Sequence, residues 1–172
     1  MRTNMPLHAT PIYPDCNALI RTIQVGGMTK PQLLEELERR SIQMNEHARR
    51  LFADGRVVTS TSSSRIQTVE LAIHNLGFGQ GAISADILQK AAGLGLDVCP
   101  LELGPFMRLQ YCDQPEGRRL TVFSQRLSAD TDVPTGFYLR CLDQTLWLRG
   151  YTASEDWIWD PNEHFVFKLS ER

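Results

Sequence analysis

Residues able to do chemistry crowd into positions 97–117, DVCPLELGPFMRLQYCDQPEG, where acids, an arginine, a tyrosine, two cysteines and three prolines interrupt amphipathic sequence. Cys99 with His74 and Glu102 supplies a thiol nucleophile, a base and an orienting carboxylate, because a thiolate attacks only when a neighbour lowers its pKa or takes its proton. Against that, Cys99 stands between Val98, Pro100 and Leu101, the setting of a buried, inert core thiol. Glu102, Asp113 and Glu116 offer carboxylates for acid–base work. Asp113 and Glu116, however, belong to a DQPEG turn, where Asp bonds its own backbone and Glu stays solvated. His8, His47, His74 and His164 form no metal-binding pair, and Cys16, Cys99, Cys112 and Cys141 have no zinc-type spacing, so neither a metal nor a cofactor is expected.

Two further motifs are formal matches. Gly77, Gly79 and Ala82 satisfy a dinucleotide fingerprint, with Asp97 placed for a ribose hydroxyl. That site needs a parallel sheet of repeated strand–helix units, whereas this chain turns to hairpins after one such unit, so a plain strand-to-helix turn is the reading. The two N-terminal helices invite a helix-turn-helix comparison, with Arg49, Arg50 and Arg56 available for phosphates, and make nucleic-acid binding an alternative. Glu35, Glu36, Glu38, Glu46 and Asp54 dilute those charges, and the net charge of -2 supplies no field toward nucleic acid or an anionic membrane.

The elements that position these residues follow from periodicity and caps. Pro6, Pro11, Pro14, Gly26 and Gly27 make residues 1–27 an extended arm, docked by Ile20, Ile23 and Val25. Thr29 with Gln32 caps a helix over 30–40, with Leu33, Leu34 and Leu37 inward, and Asn45 caps a second with Ala48, Leu51 and Phe52 inward. TSTSSS at 59–64 reads as a loop, 68–76 as a half-buried strand, and Ser84 as the cap of a helix carrying Ile87, Leu88 and Ala91. Met107, Leu109 and Tyr111 alternate with Arg108 and Gln110, giving a strand that returns through the 114–117 turn into residues 120–127. Phe137, Leu139 and Cys141, then Leu146 and Leu148, form a second hairpin turning near Asp143, and Phe165, Phe167 and Leu169 mark the last strand. The sum is an α+β chain, a helical N-terminal half packed on a C-terminal antiparallel β-sheet, in a single domain over residues 1–172.

Strand alternation then assigns a surface. If Met107, Leu109, Phe137, Leu139, Leu146 and Leu148 face the core, Arg108, Gln110, Tyr138, Arg140, Trp147, Arg149 and Tyr151 face the other way. Arg, Tyr and Trp dominate interface hot spots, and Arg clamps carboxylate or phosphate bidentately. The expected function is therefore binding, to a protein partner or an anionic small molecule, with the Cys99/His74/Glu102 enzyme as the alternative. The 42% apolar content suffices for a core without staples. Scattered cysteines, the absence of an apolar leader and of a run of ~20 apolar residues make a cytoplasmic protein the expectation.

The segments TVELAIHNLGF, CPLELGPFMRLQY, DQPEG, GFYLR and FVF resemble a family of small bacterial proteins of unknown function, over roughly residues 28–169. The resemblance implies no activity and no catalytic residues, and it implies that the glycine stretch is not a nucleotide loop.

Overall fold

The structure, a computed structural model, describes residues 11–171. Its strands are β1 (Leu19–Val25), β2 (Gln43–Met44), β3 (Ser64–Ala72), β4 (Leu96–Asp97), β5 (Arg119–Val122), β6 (Gly136–Leu142), β7 (Thr145–Tyr151) and β8 (His164–Leu169). Its helices are α1 (Lys30–Arg39), α2 (Glu46–Ala53), α3 (Ser84–Gly93) and α4 (Leu103–Gln110), with a 3-10 turn at Ile73–Leu76. All eight strands join one sheet in the order β1-β3-β8-β5-β6-β7-β2, with β4 paired to the end of β8. The sheet is mixed: β5 runs parallel to β8 and β2 parallel to β7, while the other pairs are antiparallel.

This corrects the expected helical N-terminal half on an antiparallel C-terminal sheet. Residues 19–25, expected to dock as an arm, are a strand paired along their whole length with β3. Ile23 and Val25 are buried as expected, but Ile20 points outward at 58% exposure, as alternation on an edge strand requires. The remainder of the expected arm, residues 1–10, lies outside the described residues. Residues 64–72 and 119–122 are the strands where 68–76 and 120–127 were expected.

The largest local correction is α4. Residues 107–111 are not a strand, so Arg108 and Gln110 leave the expected sheet face. Leu103, Phe106, Met107, Arg108 and Leu109 are all buried because the helix is enclosed by the sheet and α1, and a helix buried on every side shows no 3.6-residue signal. Pro105 is tolerated because it sits in the first turn, where N–H groups lack intrahelical partners.

Two apolar layers cover the sheet. The first face holds Val25, Leu120, Phe137, Leu139, Leu148 and Val166 against α1, α2 and α4. The second holds Val69, Leu71, Phe165, Phe167, Tyr138 and Tyr151 against α3 and Trp159. Thr29 and Gln32 form the expected capping box. Asn45 does more than cap α2. Its Oδ1 accepts from the Ala48 and Gly150 amides and its Nδ2 donates to the Gly150 carbonyl, continuing the edge pairing of β7 beyond β2. Gly150 permits this approach, since a Cβ there would lie 2.6 Å from the His47 carbonyl carbon. Ser84 is the first residue of α3 rather than its cap, and its Oγ accepts from the Trp159 indole.

Candidate functional site

Three arginines stand on the second face of neighbouring strands. In the β5–β6–β7 ladders Arg119 lies directly opposite Arg140, which lies opposite Trp147; in the next row Thr121 faces Tyr138, which faces Arg149. Opposed residues have Cβ atoms only ~5 Å apart, and like charges directly opposite destabilise a sheet. Neither Arg119, Arg140 nor Arg149 joins an ion pair among the described residues. The Nε of each is sealed yet has no hydrogen-bond partner among them.

Aromatic rings hold two of these guanidinium groups in place. Arg119 stacks 3.9 Å over the centre of Tyr138, and Arg149 stacks 4.2 Å over Trp147. Stacking fixes the guanidinium plane, and with Nε sealed the two terminal nitrogens are the ones a carboxylate or phosphate would meet in a fork. Arg119 also lines a cavity of about 300 Å³ with Asn45, His47, Tyr138, Trp157, Trp159 and Glu163. The His47 Nδ1 there is sealed and unpartnered among the described residues. Trp157, 55% exposed, forms part of the rim. Burial pushes the Glu163 carboxyl above its ordinary value, with the Arg119 charge and the Asp160 amide acting the other way.

The residues expected at the site divide accordingly. Arg140, Trp147 and Arg149 stand together on the second face and are partly exposed. Tyr138 and Tyr151 share that face but are buried, 6.3 Å apart, under Trp159. Arg108 is fully buried beneath the opposite face, where Nη1 donates to Gln114 Oε1 at 2.6 Å and to the Arg140 and Trp147 carbonyls, and Nη2 donates to the Tyr111 carbonyl. Burial lowers its pKa to about 10, so it stays a cation at neutral pH and acts as an internal clamp. Gln110 fastens α4 to the edge strand, accepting from the Gln24 amide and donating to the Gln24 carbonyl.

Arg119, His47, Trp157 and Glu163 were not among the expected residues. Arg119 obeys the same alternation rule, but the expected strand began one residue after it. The others reach the cavity from α2 and from the segment between β7 and β8, contacts with no local sequence signal.

Cys99, His74 and Glu102 each engage other partners. The Cys99 thiol donates to the Val166 carbonyl, and burial raises its pKa strongly. Glu102 accepts from the amide and hydroxyl of Ser60. His74 Nδ1 has no partner among the described residues, and no hydrogen bond links the three side chains. Glu116 accepts from the Asp143 and Gln144 amides, pinning the β6–β7 turn at two residues of positive φ. The glycine run lacks the sheet a nucleotide loop needs, since β3 has antiparallel neighbours on both sides. In α2, Arg50 donates to the Asp132 carbonyl, while Arg56, just beyond the helix, is tied to Asp54 and Leu127. Among the described residues no helix is long and apolar enough to cross a membrane.

Compared with protein-family profiles, curated proteins and solved structures, the chain matches none of them.

Proposed function

We propose that the chain is a binding protein for a small anionic ligand, a phosphate or carboxylate compound held by Arg119, Arg140 and Arg149. The observation that carries this reading is the register of Arg119 against Arg140 with neither charge neutralised by an ion pair among the described residues. A folded chain tolerates such an opposition when an anion completes it, because charge-assisted, bidentate bonds to guanidinium groups are the strong hydrogen bonds of proteins. The adjoining cavity of about 300 Å³ is large enough for a small molecule, and His47 adds a further polar atom to its wall.

Pyrophosphate and citrate are suitable probes, titrated calorimetrically against chloride at matched ionic strength. Saturable heat is expected for the native chain, and at least a tenfold weaker response for Arg119→Gln and Arg149→Gln, about 1.4 kcal/mol each. Absence of saturable binding of either anion, or equal binding by the variants, refutes the proposal.

A further inference from the structure

A second cavity opens beside the anion site, sharing only the Tyr151 wall with it. Its volume is about 610 Å³, within the range of small-molecule sites, and its lining is mainly apolar: Ile83, Ala85, Leu88, Val98 and Phe123. Leu88 is one of few large apolar side chains left substantially exposed, at 42%. No residue of the arginine cluster lines this cavity, so a different chemistry governs it.

Ser84, Gln125 and Thr135 also border it, but two hydroxyl groups stand out. Ser124 is only 7% exposed, and its hydroxyl is sealed without a hydrogen-bond partner among the described residues. A buried hydroxyl left unbonded costs free energy, which makes each such group in need of a reason. Tyr151 closes the same wall: a Cβ placed on Gly136 would lie 2.9 Å from Ser124 Oγ and 3.4 Å from the Tyr151 hydroxyl oxygen, so the two hydroxyls flank the same glycine while both residues line the cavity. Burial raises the Tyr151 pKa, so it is a neutral phenol that can donate. At the rim Arg126 donates to the Ala153 carbonyl, and Asp97 and Glu155 carry negative charge. That rim does not favour a second anion.

We infer that this cavity binds a small, uncharged, mainly apolar molecule carrying one oxygen acceptor, a carbonyl or an alcohol, which the Ser124 and Tyr151 hydroxyls recognise. The apolar body lies against Leu88, Ile83 and Phe123, and the oxygen meets the hydroxyl pair. This site is independent of the anion reading, and either can fail alone.

Three matched probes test it on the full chain by amide chemical-shift mapping: acetophenone, benzylamine and benzoate. Acetophenone is expected to shift Ser124, Gly136 and the first turn of α3 saturably, and benzylamine and benzoate to bind there at least fivefold more weakly. Ala85→Trp, on the exposed start of α3, fills the cavity and is expected to abolish those shifts. Ser124→Ala is expected to weaken acetophenone several-fold while leaving the unfolding temperature unchanged or higher, because it removes a hydroxyl with no partner. Absence of acetophenone shifts at these residues, equal binding by either charged probe, or undiminished binding to Ala85→Trp or Ser124→Ala, overturns the inference. Shifts by benzoate confined to the Arg119 face leave it standing and bear on the anion site alone.

Discussion

Replacing Arg140 by methionine separates a binding arginine from a structural one. Methionine keeps most of the apolar stem and deletes only the charge facing Arg119. Two unit charges as close as the opposed Cβ atoms, ~5 Å, would repel by ~0.8 kcal/mol in water and ~3 kcal/mol at an effective dielectric of 20, an upper bound because the guanidinium groups reach well beyond Cβ. Both arginines are partly exposed, so the measured scale for opposed like charges, about 0.2–1 kcal/mol, applies. The ligand-free variant is therefore expected to be more stable than the native chain, by up to ~1 kcal/mol or ~2–4 °C in unfolding temperature for a chain of this size. Chloride at ~1 M shortens the screening length to ~3 Å and should erase the difference. Saturating pyrophosphate should invert the order, because a ligand at 100 times its Kd stabilises the native chain by ~2.7 kcal/mol and a crippled site gains little of this. Calorimetric unfolding at low salt, high salt and with pyrophosphate reads all three arms. A variant that unfolds well below the native chain at low salt, or gains as much from pyrophosphate, refutes the reasoning.

Two structural clusters give predictions that do not depend on a ligand. Glu70 on β3 bonds Arg21 at 2.6 Å and the His164 Nδ1 at 2.9 Å, so the imidazole must carry its proton on Nδ1. Burial pushes the Glu70 carboxyl up, and the His164 and Arg21 hydrogen bonds more than reverse this, leaving it below its ordinary value of 4.5. A carboxylate lowered on folding contributes stability that is complete above its unfolded pKa and lost as pH falls through the folded one. Glu70→Gln should thus cost about 2 kcal/mol at pH 7 in urea unfolding, with the gap to the native chain narrowing below pH 4.5; a gap unchanged down to pH 3 contradicts this. Arg108→Met strands the Tyr111, Arg140 and Trp147 carbonyls and the Gln114 side-chain oxygen. It should cost ~3 kcal/mol or more, and Arg108→Lys should not restore it, because one ammonium cannot reach a fork of acceptors. A loss under ~1 kcal/mol for the methionine variant would show that the clamp is dispensable.

The parts of the fold legible in the sequence are those whose burial is one-sided. β6 and β7 alternate Phe137, Leu139 and Leu148 into the first core, and α1 and α2 carry their caps and single apolar stripes. α4 lost its signal because it is buried all round, and β1 was obscured because its alternation lies between prolines and paired glycines. The parallel pairings of β5 with β8 and β2 with β7 join segments remote in sequence, and no local pattern encodes them. Alternation placed Arg140, Trp147 and Arg149 on one face but could not say what covers it. Tyr138 and Tyr151 are sealed because the segment between β7 and β8 folds Trp159 over them.

That same covering, and not an ion pair, sets the orientation of Arg119, although Glu163 shares its cavity. Tyr138, Tyr151, Trp159 and Phe165 form a continuous run of ring contacts, with centroids 6.3, 5.5 and 5.0 Å apart, from the arginine ladder into the second core. Arg119 lies over the outer end of that run, so its orientation is set by packing and not by a carboxylate partner. Rings locked into a core do not swing aside, and the opposition of Arg119 to Arg140 is built into the strand register. A sequence optimised for stability alone would place a carboxylate or a threonine at one of those two positions. Conflicts between a local rule and the whole fold concentrate at functional sites, and the anion we propose would resolve this one.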